Sequence, residues 1–113
     1  MAEDRLKALL AIAEAQPEEV MIWYGLANEY VKLERWPEAV DALRRTVALN
    51  ADYTSAYQML GTALMKVGRR EEARLVWTEG IQVAERTGAW NARQHMERLL
   101  ADASSEGSGL CAE

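Results

Sequence analysis

Six residues of this chain are answered 34 positions later with no gap. Trp23, Leu26, Ala27, Tyr30, Ala39 and Leu43 are matched by Tyr57, Leu60, Gly61, Leu64, Ala73 and Trp77. Large apolar residues answer large ones and small residues answer small ones, so a packing role repeats rather than an identity. Only five of the 34 aligned positions are identical: Leu26/Leu60, Lys32/Lys66, Arg35/Arg69, Glu38/Glu72 and Ala39/Ala73. A fixed period of this length confines a chain to supersecondary units that cannot bury their apolar faces alone and stack to do so.

The units are helical. Leu, Ala, Glu and Arg dominate, only two Pro occur and β-branched clusters are scarce, which is a composition of good helix formers. At 113 residues the chain supports one core and not two domains. The net charge of −5 and pI of about 5 exclude generic nucleic-acid affinity. Residues 54–87 sum to +1 and every other segment is acidic, so Arg69, Arg70 and Arg74 form a small basic spot of the kind that solvates a turn. The single cysteine, Cys111, cannot form an internal disulfide and fits a reducing compartment. The apolar run over 8–13 is too short and too closely flanked by acids for a secretory signal, and nothing approaches the ~20 apolar residues of a membrane span. A cytoplasmic protein is expected.

Leu6, Leu9, Leu10 and Ala13 share one face of a helix predicted over 2–16, which Pro17 ends. The next helix runs from about Val20 to Leu33 and the turn is Glu34-Arg35-Trp36. Pro37 opens a further helix, where its missing N–H costs nothing, and that helix ends near Asn50. Asn50 and Asp52 form the following turn. In the second unit, Thr54 or Ser55 is expected to cap the first helix and Gly68 to close it in a left-handed conformation. A last helix is predicted over 89–103, and the small, polar residues 104–113 are expected to be a disordered tail.

The spacing W-x2-L-[GA]-x2-Y, followed by A-x3 and a large apolar residue, resembles the signature of the tetratricopeptide repeat (TPR) family. The resemblance implies an all-α fold, a right-handed α-α superhelix of helix-turn-helix hairpins with about six helices. It divides a single domain, 1–103, into an N-terminal half-repeat helix (2–16), repeat one (20–53), repeat two (54–87) and a capping helix (88–103). The half repeat is a second (B) helix without its first. Arg5 stands there where Ala39 and Ala73 stand in the full repeats, and the small residue is dispensable because no A helix approaches. Ala27 and Gly61 on the A helices are expected to face Ala39 and Ala73 on the B helices.

TPR proteins bind other proteins or peptides without a cofactor or metal. Their concave positions, carried onto this chain, are Met21, Tyr24, Asn28, Val31 and Lys32, then Ser55, Gln58, Thr62, Met65 and Lys66, then Ala89, Arg93 and Met96. Tyr24, Asn28 and Gln58 would offer hydrogen bonds to a peptide, and the methionines an adaptable apolar floor. The five-residue carboxylate clamp of some TPR domains falls on Tyr24, Asn28, Met59, Ala89 and Arg93. Only Asn28 and Arg93 match, which disfavours a co-chaperone reading.

An enzyme is not expected. His95 is the only histidine, Cys111 lies in the tail, and neither a metal set nor a Gly-rich phosphate loop is present. The leading expectation is an adaptor or scaffold whose concave groove binds a peptide or partner helix. The alternative is a structural protein that forms a homodimer, through the N-terminal helix or the C-terminal cap. For the N-terminal helix, the reason is that Leu6, Leu10 and Ile12 are left short of cover. Neither nucleic acid nor a membrane is expected as a partner.

Overall fold

A computed structural model describes the backbone of residues 2–112 and the side chains of residues 4–103. Its helices are α1 (Ala2–Ala15), α2 (Val20–Lys32), α3 (Trp36–Leu49), α4 (Thr54–Lys66), α5 (Arg70–Thr87) and α6 (Trp90–Ala112), and no strand occurs among the described residues. α2 packs on α3 and α4 on α5 as hairpins, α3 meets α4 between them, and α1 and α6 flank the stack. This is an all-α superhelix of stacked hairpins.

The two A-to-B turns are built alike. At the end of α2 the Arg35 N–H donates to the Tyr30 carbonyl at 2.9 Å, and at the end of α4 Arg69 N–H donates to Leu64 at 2.8 Å. Such a six-to-one bond needs a left-handed residue just before the donor. Gly68 supplies it in α4 at φ 82°, as expected, whereas α2 uses Glu34 at φ 57°. Arg35 then hydrogen-bonds Glu38 at 2.9 Å, and Arg69 grips both oxygens of Glu72 at 2.7 Å. Two of the five identical pairs thus record one turn built twice.

The turns between repeats also match. Trp23 donates its indole N–H to the Pro17 carbonyl and Tyr57 its hydroxyl to Ala51, both at 2.9 Å. The Asp52 N–H donates to the Asn50 side chain at 3.0 Å, as the turn composition predicts. Capping of α4 by Thr54 or Ser55 does not occur. Tyr53 holds the cap position without a side-chain bond, because Thr54 is already the first helical residue.

The core is Leu26, Ala27, Ala39, Val40 and Leu43 in repeat one, and Leu60, Leu64, Ala73 and Trp77 in repeat two. In repeat two the small residue of helix A lies against a large residue of helix B. A Cβ at Gly61 would lie 2.0 Å from the Trp77 indole nitrogen. The glycine therefore makes room for a tryptophan where repeat one pairs Ala27 with the smaller Leu43.

The last helix departs from the expected register. α5 is 18 residues long against 14 for α3, and its extra turn ends at Gly88, left-handed at φ 77°. α6 therefore starts late, and its inward face is Ala92, Met96 and Leu100. These lie 36 positions after the inward Ala56, Leu60 and Leu64 of α4. A gapless 34-residue extrapolation instead points at Asn91, Gln94 and Arg98, all exposed. The backbone of α6 also stays helical to Ala112, across the stretch expected to be a disordered tail. The stretch 104–112 holds three Ser and two Gly with no proline, so intrinsic helix propensity there is weak.

At the other end, α1 buries Leu6 and Ala13 against α2. Leu6 is thus covered, contrary to expectation, while Leu10 and Ile12 remain about 40% exposed. Arg5 reaches the buried carboxylate of Glu29 on α2 at 3.2 Å.

Candidate functional site

The expected groove residues fall into three groups. Val31 from α2, with Gln58 and Thr62 from α4, come together and line a cleft of about 200 Å³, completed by Trp36, Met59 and His95. Thr62, Met65 and Lys66 line a second cleft of about 200 Å³, with Trp77, Leu99, Asp102 and Ala103. The first cleft also touches α2, α3 and α6, and the second α5 and α6. Thr62 belongs to both, so the two clefts adjoin at α4 as a trough. Its floor is apolar and its rim carries Gln58, Thr62, His95, Lys66 and Asp102.

Local bonds fix the polar side chains of the rim. The Thr62 hydroxyl donates to the Gln58 carbonyl at 3.1 Å, within one turn of α4. The Gln58 side-chain amide reaches the Ala92 carbonyl at 3.5 Å and ties α6 to α4. The Lys66 ammonium sits 5.7 Å from the centre of the Trp36 ring, a cation–π contact that orients the indole along the rim.

In the second group, which lines neither cleft, Met21 and Tyr24 lie toward the N-terminal end of α2. The Tyr24 ring packs on Tyr53 with centroids 4.7 Å apart, and Tyr53 donates its hydroxyl to the Met21 sulfur at 3.6 Å. Burial and the neighbouring Tyr24 raise the Tyr53 hydroxyl above its ordinary pKa, so it stays a neutral donor. Asn28 spends one amide hydrogen on the Tyr24 carbonyl at 3.0 Å, and Lys32 pairs with Glu29 at 3.5 Å. Ser55 is exposed at the start of α4, and Ala89 packs half-buried against the core.

The third group lies on α6 and lines neither cleft. Met96 is completely buried and is a core residue, not a groove residue. A Cβ at Gly80 would lie 2.5 Å from the Met96 sulfur and 2.7 Å from Tyr57, so Gly80 is the notch that receives Met96. The cause is the shifted register of α6, which turns the expected groove position inward. Arg93 stacks over Trp90 at 5.8 Å and pairs with Glu97 at 3.3 Å, both on its own helix.

Trp36, Met59 and His95 were not among the expected residues. Trp36 could have been found, since a tryptophan opening helix B directly after a left-handed turn is presented toward the A helices. His95 could not, because its exposure follows from the length of α5. The side chain of Cys111 lies outside the described residues, and with it any pairing with His95. Among the described residues no group of three His, Cys, Asp or Glu could hold a metal ion, and no helix is long and apolar enough to cross a membrane.

The stacked hairpins, the paired turns and the trough along the A helices define a class, the helical-repeat proteins. Within it, comparison with solved structures places the fold. The TPR2B domain of yeast Sti1, solved as a complex with pHsp70, superposes with a TM-score of 0.84 at 18% identity, over 93% of this chain and 84% of that one. The first TPR of Spaghetti (RPAP3), bound to the HSP90 peptide SRMEEVD, gives 0.81 at 20% identity, over 95% and 80%. A tetratricopeptide repeat domain protein of Salinibacter ruber gives 0.72 at 23% identity, over 77% and 97%. No protein-family model and no curated protein matches the chain. The fold is that of a tetratricopeptide-repeat domain.

Proposed function

We propose that the chain is a non-enzymatic protein-binding module, of adaptor or scaffold type, whose concave trough receives a peptide or helix of another protein. The observation that carries this reading is the trough itself. Val31, Trp36 and Met59 leave an apolar floor unfilled at the meeting of three helices, with polar groups confined to its rim. That is the composition of a site that anchors an apolar side chain and orients the backbone around it. The similar domains of Sti1 and Spaghetti were solved with pHsp70 and an HSP90 peptide, which supports protein docking as the use of such a surface. The carboxylate clamp is not carried over, since Tyr24, Met59 and Ala89 replace three of its five residues.

Affinity capture from native extract tests the proposal. Thr62→Arg fills the junction of the two clefts from a half-exposed position and should abolish capture of specific partners while leaving the melting temperature within a few degrees. Tyr24→Ala with Asn28→Ala, at the stacked end of α2, should reduce capture less. Undiminished capture by Thr62→Arg contradicts the proposal.

A further inference from the structure

Both complete repeats turn one row of their B helix inward, and all six residues of that row are buried: Ala39, Leu43 and Thr46 on α3, and Ala73, Trp77 and Gly80 on α5. The same repeat positions of α1 hold Arg5, Leu9 and Ile12. There Arg5 is exposed, Leu9 is half-buried and Ile12 is 40% exposed. Arg5 and Leu9 lean onto α2, where Arg5 bonds Glu29 and Leu9 lies against Gly25, so Ile12 is the open member of the row. Ala8, Ala11 and Ala15 continue the open surface, three and four residues apart on one face, and all three are exposed. The counterparts of Ala11 in the complete repeats are Arg45 and Glu79, exposed and charged. At position 11 α1 thus carries a methyl group where the complete repeats face solvent with a charge, while the counterparts of Ala8 and Ala15 are apolar.

We infer that this face is the seat of a second copy of the chain, with α1 lying antiparallel on its counterpart across a two-fold axis. The charges of α1 favour that occupant. Lys7 and Glu14 stand two turns apart on one flank of this face, which Asp4 begins with a charge four residues before Ala8, and all three are exposed. Antiparallel pairing brings like flanks together, so Lys7 of each copy meets Glu14 of the partner subunit, twice over. The helix complements itself, as an isologous contact requires. The row of alanines lets the axes approach closely. A 14-residue helix offers only about 21 Å of contact. The dimer is therefore weak and exchanging, at the low end of specific interfaces.

Sedimentation velocity on the purified chain, from about ten micromolar to about one millimolar, tests the inference. The mass should rise toward twice that of the monomer. Lys7→Glu and Glu14→Lys should each weaken association about tenfold by setting like charges face to face. The double swap, Lys7→Glu with Glu14→Lys, should restore it, and Ile12→Asp should abolish it. Circular dichroism and melting curves of the four variants should match the parent, since these side chains are at least 40% exposed or at the surface. A monomeric mass throughout overturns the inference. So does a dimer indifferent to the single charge changes, or a double swap that fails to restore it.

Discussion

At the residue scale, the two repeats are an internal experiment in how one position can be filled. Glu34 and Gly68 occupy the same left-handed corner, at φ 57° and 82°. A side chain there costs roughly 1–2 kcal/mol that glycine does not incur, offset in part by the extra freedom glycine has when unfolded. Glu34→Gly should therefore stabilise the protein by up to about 1 kcal/mol and Gly68→Ala should destabilise it by a similar amount, as read by denaturant melts. Equal and opposite signs are the point of the pair; a loss of stability in both would remove the corner from the account. Gly61 and Trp77 make a second test. Gly61→Ala should cost about 1–3 kcal/mol by driving a methyl into the indole. In a Trp77→Leu background, which recreates the Ala27 and Leu43 pairing of repeat one, the same change should cost far less, a coupling that a double-mutant cycle measures. Ala73→Leu, at a fully buried position of α5, should likewise cost about 1–3 kcal/mol.

At the element scale, helix starts carry a pH signature. The hydrogen bonds from Arg35 to Glu38 and from Arg69 to Glu72 hold both carboxyls below the ordinary glutamate range. A lowered folded pKa gives stability that is present above the unfolded value and is lost as pH falls through the folded one. Thermal melts between neutral and acidic pH should therefore show a smaller loss for the Glu38→Gln, Glu72→Gln double variant than for the parent. Both groups are solvent-exposed, so the difference will be modest and should shrink in high salt. Identical slopes would show that these pairs contribute nothing. Element by element, legibility in the sequence followed how local the causes were. The helices of both repeats, Pro37 at the start of α3, the Gly68 closure and the Asn50 turn were readable, because period, cap and turn residue act over a few positions. The phase of α6 was not, since it depends on how far α5 runs before Gly88. That one extra turn turned Met96 into the core and brought His95 to the trough. The notch at Gly80 was the overlooked clue, because a glycine inside a helix is destabilising unless something must approach closely.

At the scale of the whole molecule, the described residues leave the trough along α4 and the outer face of α1 incompletely covered. The A-helix residues of the trough, Val31, Gln58, Thr62, Met65 and Lys66, follow from the repeat alone. Trp36, His95 and Asp102 enter only once three helices are placed together. The trough is the central claim, and position-specific photocrosslinking in native extract tests it most directly. With a photoreactive benzoylphenylalanine replacing Thr62, irradiation should give discrete adducts. The same replacement at Leu75, 70% exposed and outside the trough, should give none. Adducts from position 75 with none from position 62 would place docking elsewhere on the stack and contradict the account.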